Sequence, residues 1–181
     1  MIIIEGCDNT GKTTLCKYLS EQIRTCEIVK SPAPRDVETI FPFLDNVYFK
    51  DLANTAEEKI RTIYDRFPCI SDPIYARCIG WKSVFVSTLI GRLARHEFMN
   101  WNNLIIFCDP GRENVLKLGD REQMDGVRDE IEAIYTEYQY ELGLLSLYSS
   151  QSIIKYDYTS HTPNEVLQYI LRWHKKQGEL N

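Results

Sequence analysis

The chain has 181 residues, 44% of them apolar and 26% charged, which suits one ordinary soluble domain with a full core. No apolar run is long enough to span a bilayer, and Ile2-Ile3-Ile4 is too short for a signal segment and runs straight into Glu5. The formal net charge of −5 argues against a protein that grips a long stretch of nucleic acid, while a small anionic ligand held by a few arginines stays compatible with it.

Ile2-Ile3-Ile4-Glu5 reads as a strand, and residues 13–23 read as a helix with Leu15, Leu19 and Ile23 on one face. Residues 26–30 predict a second strand, closed by Ser31-Pro32-Ala33-Pro34. Residues 36–60 are rich in aromatics, but Pro42 is expected to interrupt any long helix there. Residues 61–65 read as a buried strand, 83–98 as a helix and 103–108 as a strand ended by Asp109-Pro110-Gly111. Residues 129–142 form a helical stripe of Ile131, Ile134, Tyr135, Tyr138 and Leu142, and residues 153–156 a last strand. Thr162, Pro163 and Glu165 spell a capping box that opens a final helix, which runs through Val166, Ile170 and Trp173 to end near Gly178. Five strands alternating with helices predict parallel pairing in a single three-layer α/β domain over residues 1–181, with ligands at the carboxyl ends of the strands.

The six cysteines show no C-x-x-C spacing and His96, His161 and His174 no ligand spacing, so the cysteines read as reduced thiols of a cytoplasmic protein. One motif stands out. Gly6 to Thr13 fits G-x-x-x-x-G-K-[ST] at every fixed position, with a strand leading in and an amphipathic helix leading out. Glycines at both ends let successive N–H groups point inward, and the helix behind adds its positive dipole end, so the loop makes a phosphate nest. Lys12 can reach the β- and γ-phosphates of ATP, and the Thr13 hydroxyl can ligate Mg²⁺. The motif's place, five residues in, predicts that the first strand is the central one. There is no N-K-x-D, which guanine-reading switches use, and the chain is short for a motor. A small nucleotide or metabolite kinase is the class that remains.

Glu5-Gly6-Cys7-Asp8-Asn9-Thr10-Gly11-Lys12-Thr13-Thr14 resembles the E-G-x-D-x-x-G-K-T-T opening of thymidylate kinases. Asp65-Arg66-Phe67 resembles that family's D-R-[YFH], with Ser71 and Tyr75 following, and residues 104–110 resemble its fourth strand. The stretch from Asp65 to Tyr75 looks most like compact thymidylate-kinase-like proteins of bacteriophages, for which the location would be the host cytoplasm. Departures are Asn9 for a common glycine, Lys30-Ser31-Pro32-Ala33-Pro34-Arg35 for an arginine-glutamate-proline stretch, and a shortened region before Asp65. The resemblance implies a P-loop nucleotide kinase fold with a five-stranded parallel sheet. The implied reaction is transfer of the γ-phosphate of ATP, with Mg²⁺, to a deoxynucleoside monophosphate of the dTMP-like pyrimidine kind.

In that frame Gly6, Asp8, Asn9, Thr10, Gly11, Lys12, Thr13 and Thr14 hold the donor nucleotide. Asp65 holds Mg²⁺ with Thr13 or orients the acceptor, the plain alternative being a salt bridge to Arg66. Arg66 forks onto the acceptor phosphate. Asp8 faces the acceptor sugar's hydroxyl or makes a bond inside its own loop, and Phe67, Ser71 and Tyr75 line the acceptor side. Phe43, Tyr48 and Phe49 are further candidates for stacking on a base, against the plain reading of core aromatics. Arg112, Arg121 and Arg128 flank a polar lid region, about 112–128, that would supply the transition-state charge missing from the loop. Open alternatives are a deoxynucleoside kinase, a kinase of a modified base in phage DNA, and a nucleotide-binding regulator without transfer activity. The implied partner is a small nucleotide, with no membrane, and a homodimer stays open.

Overall fold

Ile2, Ile3 and Ile4 are all fully buried, so the first strand must have both faces covered. A computed structural model describes residues 1–32, 37–53, 61–117, 126–148 and 151–179. It carries five strands, β1 (Ile2–Glu5), β2 (Glu27–Lys30), β3 (Thr62–Asp65), β4 (Asn103–Cys108) and β5 (Gln151–Tyr156). They pair in parallel throughout, in the order β2-β3-β1-β4-β5, which puts β1 at the centre as its position in the chain predicts. The register aligns Ile4 with Asp65, Glu5 with Phe107, and Cys108 with Tyr156, so these residues share the carboxyl edge of the sheet.

Helices cover both faces. On one, Ile2, Ile4, Ile63, Leu104 and Ile106 pack against Leu15 and Leu19 of α1 (Lys12–Gln22) and Val166 and Ile170 of the last helix (Pro163–Glu179, α8). On the other, Ile3, Tyr64, Ile105 and Phe107 meet α2 (Val37–Ala53), α3 (Pro68–Ile79), α5 (Leu89–Asn100) and α7 (Ile131–Leu145). Two short helices, α4 (Val84–Ser87) and α6 (Arg112–Leu116), complete the set among the described residues. None of the described helices is long and apolar enough to cross a membrane.

Two expectations change. Pro42 does not interrupt a helix; it lies within α2. It sits in the sixth position, near the N-terminal end. The interior-proline penalty of about 3 kcal/mol is met by burial of Ile40, Leu44 and Val47, each worth roughly 1.5–3 kcal/mol. The helix expected over 83–98 is split at Thr88, whose backbone is extended. The Thr88 hydroxyl donates to the Val84 carbonyl at 2.9 Å and accepts from the Gly91 N–H at 2.9 Å, so it closes α4 and caps α5. The capping box of α8 forms as read: the Thr162 N–H donates to Glu165 at 2.6 Å and the Glu165 N–H to the Thr162 hydroxyl at 3.4 Å.

Candidate active site

Between β1 and α1 the chain turns through three residues of positive φ: Gly6 at 140°, Asn9 at 63° and Gly11 at 83°. A side chain at Gly6 would place its Cβ 2.5 Å from the Cys108 carbonyl oxygen, and one at Gly11 would come 2.9 Å from the Tyr158 ring. Both positions therefore demand glycine on space as well as on φ. Asn9 takes the left-handed turn that an asparagine tolerates.

The helix behind this loop starts without a side-chain cap and with no acidic residue in its first turn. Its first N–H groups and its dipole are left for an anion. Lys12 is buried at this end, and its ammonium donates to the Cys7 carbonyl and, at 3.3 Å, to the Thr10 hydroxyl. Burial first, and then the neighbouring Arg66, lower its pKa. Thr13 and Thr14 are exposed on the same turn. An open cleft of about 430 Å³ adjoins the loop, lined by Asn9, Gly11, Thr14, Asn114, Lys117 and Tyr158, among others.

Across the sheet edge, Arg66 follows β3 with φ of 69°, a strained value for a residue with a side chain that costs about 1–2 kcal/mol. Its N–H donates to the Ile4 carbonyl at 2.9 Å, and the next N–H, of Phe67, donates to the Glu5 carboxylate at 2.6 Å. The guanidinium meets Asp8 of the loop at 2.8 Å and donates to the Tyr75 hydroxyl, which itself donates to Asp8 at 2.6 Å. Asp8, Arg66 and Tyr75 thus close a ring from three elements. Burial would raise the Asp8 pKa, but Arg66, Lys12 and the Tyr75 hydroxyl outweigh it and hold the carboxyl below its ordinary range. The plain alternatives drop out here: Arg66 pairs with Asp8 rather than Asp65, and Asp8 bonds outside its own loop. Asp65 stays partly exposed at the end of β3.

Other candidates sit elsewhere. Phe67 is wholly buried, with its ring stacked on Phe98 at 4.9 Å, so it is a core residue and not a wall of the acceptor side. Ser71 is buried too, its hydroxyl turned back onto the Phe67 carbonyl at 3.1 Å within α3. Phe43 packs on Tyr64 and Phe67, while Tyr48 and Phe49 are exposed and Tyr48 stacks on Trp101. Arg112 pairs with Glu132 at the surface, Arg128 is exposed in the turn before α7, and Arg121 lies outside the described residues.

Glu5 was given no role in the sequence reading, although a carboxylate closing a run of isoleucines was its signal. It is fully buried and also accepts from the Tyr138 hydroxyl at 3.1 Å and the Gly6 N–H at 3.3 Å. Burial pushes its pKa up from 4.5 to about 7, against the pull of Arg66 and the Phe67 N–H. Tyr158 and Lys117, which border the cleft, belong to no motif in the sequence.

No family model and no curated protein sequence matches the chain. Among solved structures it is similar to YorR protein from Bacillus subtilis in complex with phosphorylated GDP, at TM-score 0.70 and 18% identity over 98% of this chain and 97% of that one. It is similar also to thymidylate kinase from Candida albicans, at TM-score 0.55 and 15% identity over 98% and 91%. A third is deoxyadenosine kinase from M. mycoides with bound dATP, at TM-score 0.50 and 15% identity over 94% and 98%. The fold is therefore the three-layer α/β fold of nucleotide kinases with a five-stranded parallel sheet.

Proposed function

We propose that the protein transfers the γ-phosphoryl group of ATP to the α-phosphate of a deoxynucleoside monophosphate, with a dTMP-like pyrimidine preferred. One observation carries this reading: an uncapped helix N-terminus with a buried lysine lies beside an arginine whose partner, Asp8, belongs to the same loop. Donor and acceptor anions would meet between them. The cleft of about 430 Å³ beside the loop is of a size for a small ligand, and suits the donor nucleoside, with the Tyr158 ring at its edge.

In this reading the loop N–H groups hold the donor phosphates, and Lys12 exchanges the Cys7 carbonyl for a phosphate oxygen. Arg66 offers its remaining N–H donors to the acceptor phosphate in the forked geometry a guanidinium favours. Asp8 accepts from a hydroxyl of the acceptor sugar. An acceptor phosphate oxygen bonds to the γ-phosphorus as the bridging P–O bond breaks, and that electron pair leaves with ADP. Exposed Thr13 and partly exposed Asp65 suit a Mg²⁺ ion, which would supply neutralisation of charge on the transferred group. Arg112, Arg121 and Arg128 would add to that neutralisation.

A second reading is a deoxynucleoside kinase, favoured by the 2.8 Å pairing of Arg66 with Asp8, which neutralises part of the guanidinium and leaves a carboxylate for an acceptor hydroxyl. The two separate on ATP·Mg²⁺ with dTMP, dUMP, dCMP, dAMP and dGMP beside the matching nucleosides, with ADP release as the readout. We expect turnover of a pyrimidine monophosphate. Turnover of a nucleoside but of no monophosphate overturns the first reading in favour of the second, and ATP binding without any turnover leaves a regulator.

A homodimer belongs to the same proposal. Val86, Leu89, Ile90, Leu93, Leu144 and Leu147, on or beside α4, α5 and α7, form an apolar face, with Leu147 79% and Ile90 65% exposed. Val86, Leu144, Leu147 and Tyr148 border one open cleft there with Arg92, Arg95 and His96 among them, a mix of apolar, aromatic and arginine side chains of the kind enriched between subunits. The occupant we assign is a second copy of this chain. Light scattering after gel filtration should read twice the monomer mass, and Leu93→Asp should halve it; a monomer at high concentration refutes the assignment.

A further inference from the structure

We infer that Glu5 is a positioning residue for Arg66, and through it for the acceptor. The inference rests on the proposed transfer reaction, in which Arg66 grips the acceptor. The end of β1 holds both peptide N–H groups that flank the left-handed turn: Ile4 takes that of Arg66 at 2.9 Å, and the Glu5 carboxylate takes that of Phe67 at 2.6 Å. A backbone carbonyl is present whatever the side chain. The second grip exists only because residue 5 ends in an acceptor.

Nothing else is offered to the Phe67 N–H. Phe67 stands at the N-terminal cap of α3, which has no side-chain cap of its own, and its surroundings are the apolar core. The carboxylate is in turn held in place by the Gly6 N–H of the phosphate loop and the Tyr138 hydroxyl of α7. Glu5 therefore ties three elements to one strand end. Its bond to the Phe67 N–H, at 2.6 Å, is the shortest it makes, against 3.3 Å to the Gly6 N–H of the donor loop, so its loss should weigh more on the acceptor side than on the donor side. An apolar residue would fill the space as well as its three isoleucine neighbours do. The carboxylate's distinctive property is that it accepts, and it accepts one residue beyond the arginine of the site.

The test compares Glu5→Leu with Glu5→Gln in the full chain. Leucine fills the site without an acceptor; glutamine keeps an oxygen for the Phe67 N–H and an amide that donates to the Tyr138 hydroxyl, and gives up only the 3.3 Å bond from the Gly6 N–H. For Glu5→Leu we expect the KM of the monophosphate to rise about tenfold, with a clearly smaller change in the KM of ATP. Glu5→Gln should restore the acceptor KM. Tyr138→Phe, which removes one tether of the carboxylate and leaves the core intact, should raise the acceptor KM about threefold and decides the matter if Glu5→Leu does not fold. Wild-type turnover is measured first, so that failure of the transfer reading is seen by itself. Hydrogen exchange of the Phe67 amide then reads the positioning without substrate: fast in Glu5→Leu, protected in wild type and Glu5→Gln. Equal rises in both KM values, no rise with Glu5→Leu and Tyr138→Phe, or a Glu5→Gln variant as impaired as Glu5→Leu overturns the inference.

Discussion

Arg66 spends donors on Asp8 and Tyr75, and in the proposed reaction the rest would serve the acceptor phosphate. Arg66→Lys should therefore raise the acceptor KM by about tenfold or more, because an ammonium cannot reproduce the fork, while the KM of ATP moves little; steady-state kinetics with each substrate varied in turn check it. Equal effects on both would remove Arg66 from the acceptor. Glu5 makes a second prediction, in stability. Its pKa rises from 4.5 to about 7 on folding, so the unfolded chain gives up this proton first. The Glu5 contribution is fully present below pH 4.5 and is lost as pH rises through about 7. Denaturant melts of wild type and Glu5→Gln should diverge over that window in favour of the variant, by up to roughly 3 kcal/mol; parallel curves would mean the burial cost is relieved in another way. At this scale the phosphate loop was legible, because spacing alone dictates its curl. Phe67 misled: a motif position says which backbone follows the arginine, and packing decides where the ring goes. Tyr75 is buried and bonds to Arg66 and Asp8, and the latter bond joins residues 67 positions apart, which no local pattern encodes.

Elements were read from periodicity, and that served where packing and local hydrogen bonding agree. The strands at 103–108 and 2–5 are buried along their full length and apolar but for Asn103 and Glu5. Thr88 and Pro42 are the cases where they disagree. A threonine in a helical run looks neutral until its hydroxyl is seen to bridge Val84 and Gly91, and a proline looks like a breaker until its distance from the helix start is known. The lid region holds the element-scale prediction. Arg112 opens α6 and is tied to Glu132 of α7, so drawing it towards a phosphate means giving up an exposed ion pair of little worth. Single alanine variants of Arg112, Arg121 and Arg128 should include one whose kcat falls about 10³-fold with the fold unchanged. Three variants with wild-type kcat would put the stabilising charge outside residues 112–128.

The whole molecule was the easiest scale to foresee, since alternating strands and helices leave few ways to cover a parallel sheet, and β1 with its loop lies in the middle of it. Less visible beforehand was how the sheet's carboxyl edge brings the loop after β1 against the corner after β3. Asp8 is part of the loop that would hold the donor, and its partners Arg66 and Tyr75 would belong to the acceptor side in the proposed reaction. Any ligand that reshapes the loop must then reset the ring, and any ligand that draws Arg66 away must alter Asp8. The two binding events share a coupling free energy, and reciprocity requires each ligand to change the other's affinity by one common factor. Calorimetry of dTMP with and without a non-hydrolysable ATP analogue, and of the analogue with and without dTMP, should give that factor as about 5-fold or more, falling towards one in Asp8→Ala. Independent binding in the wild type would mean that the ring is a strut and carries no message between the two halves of the site.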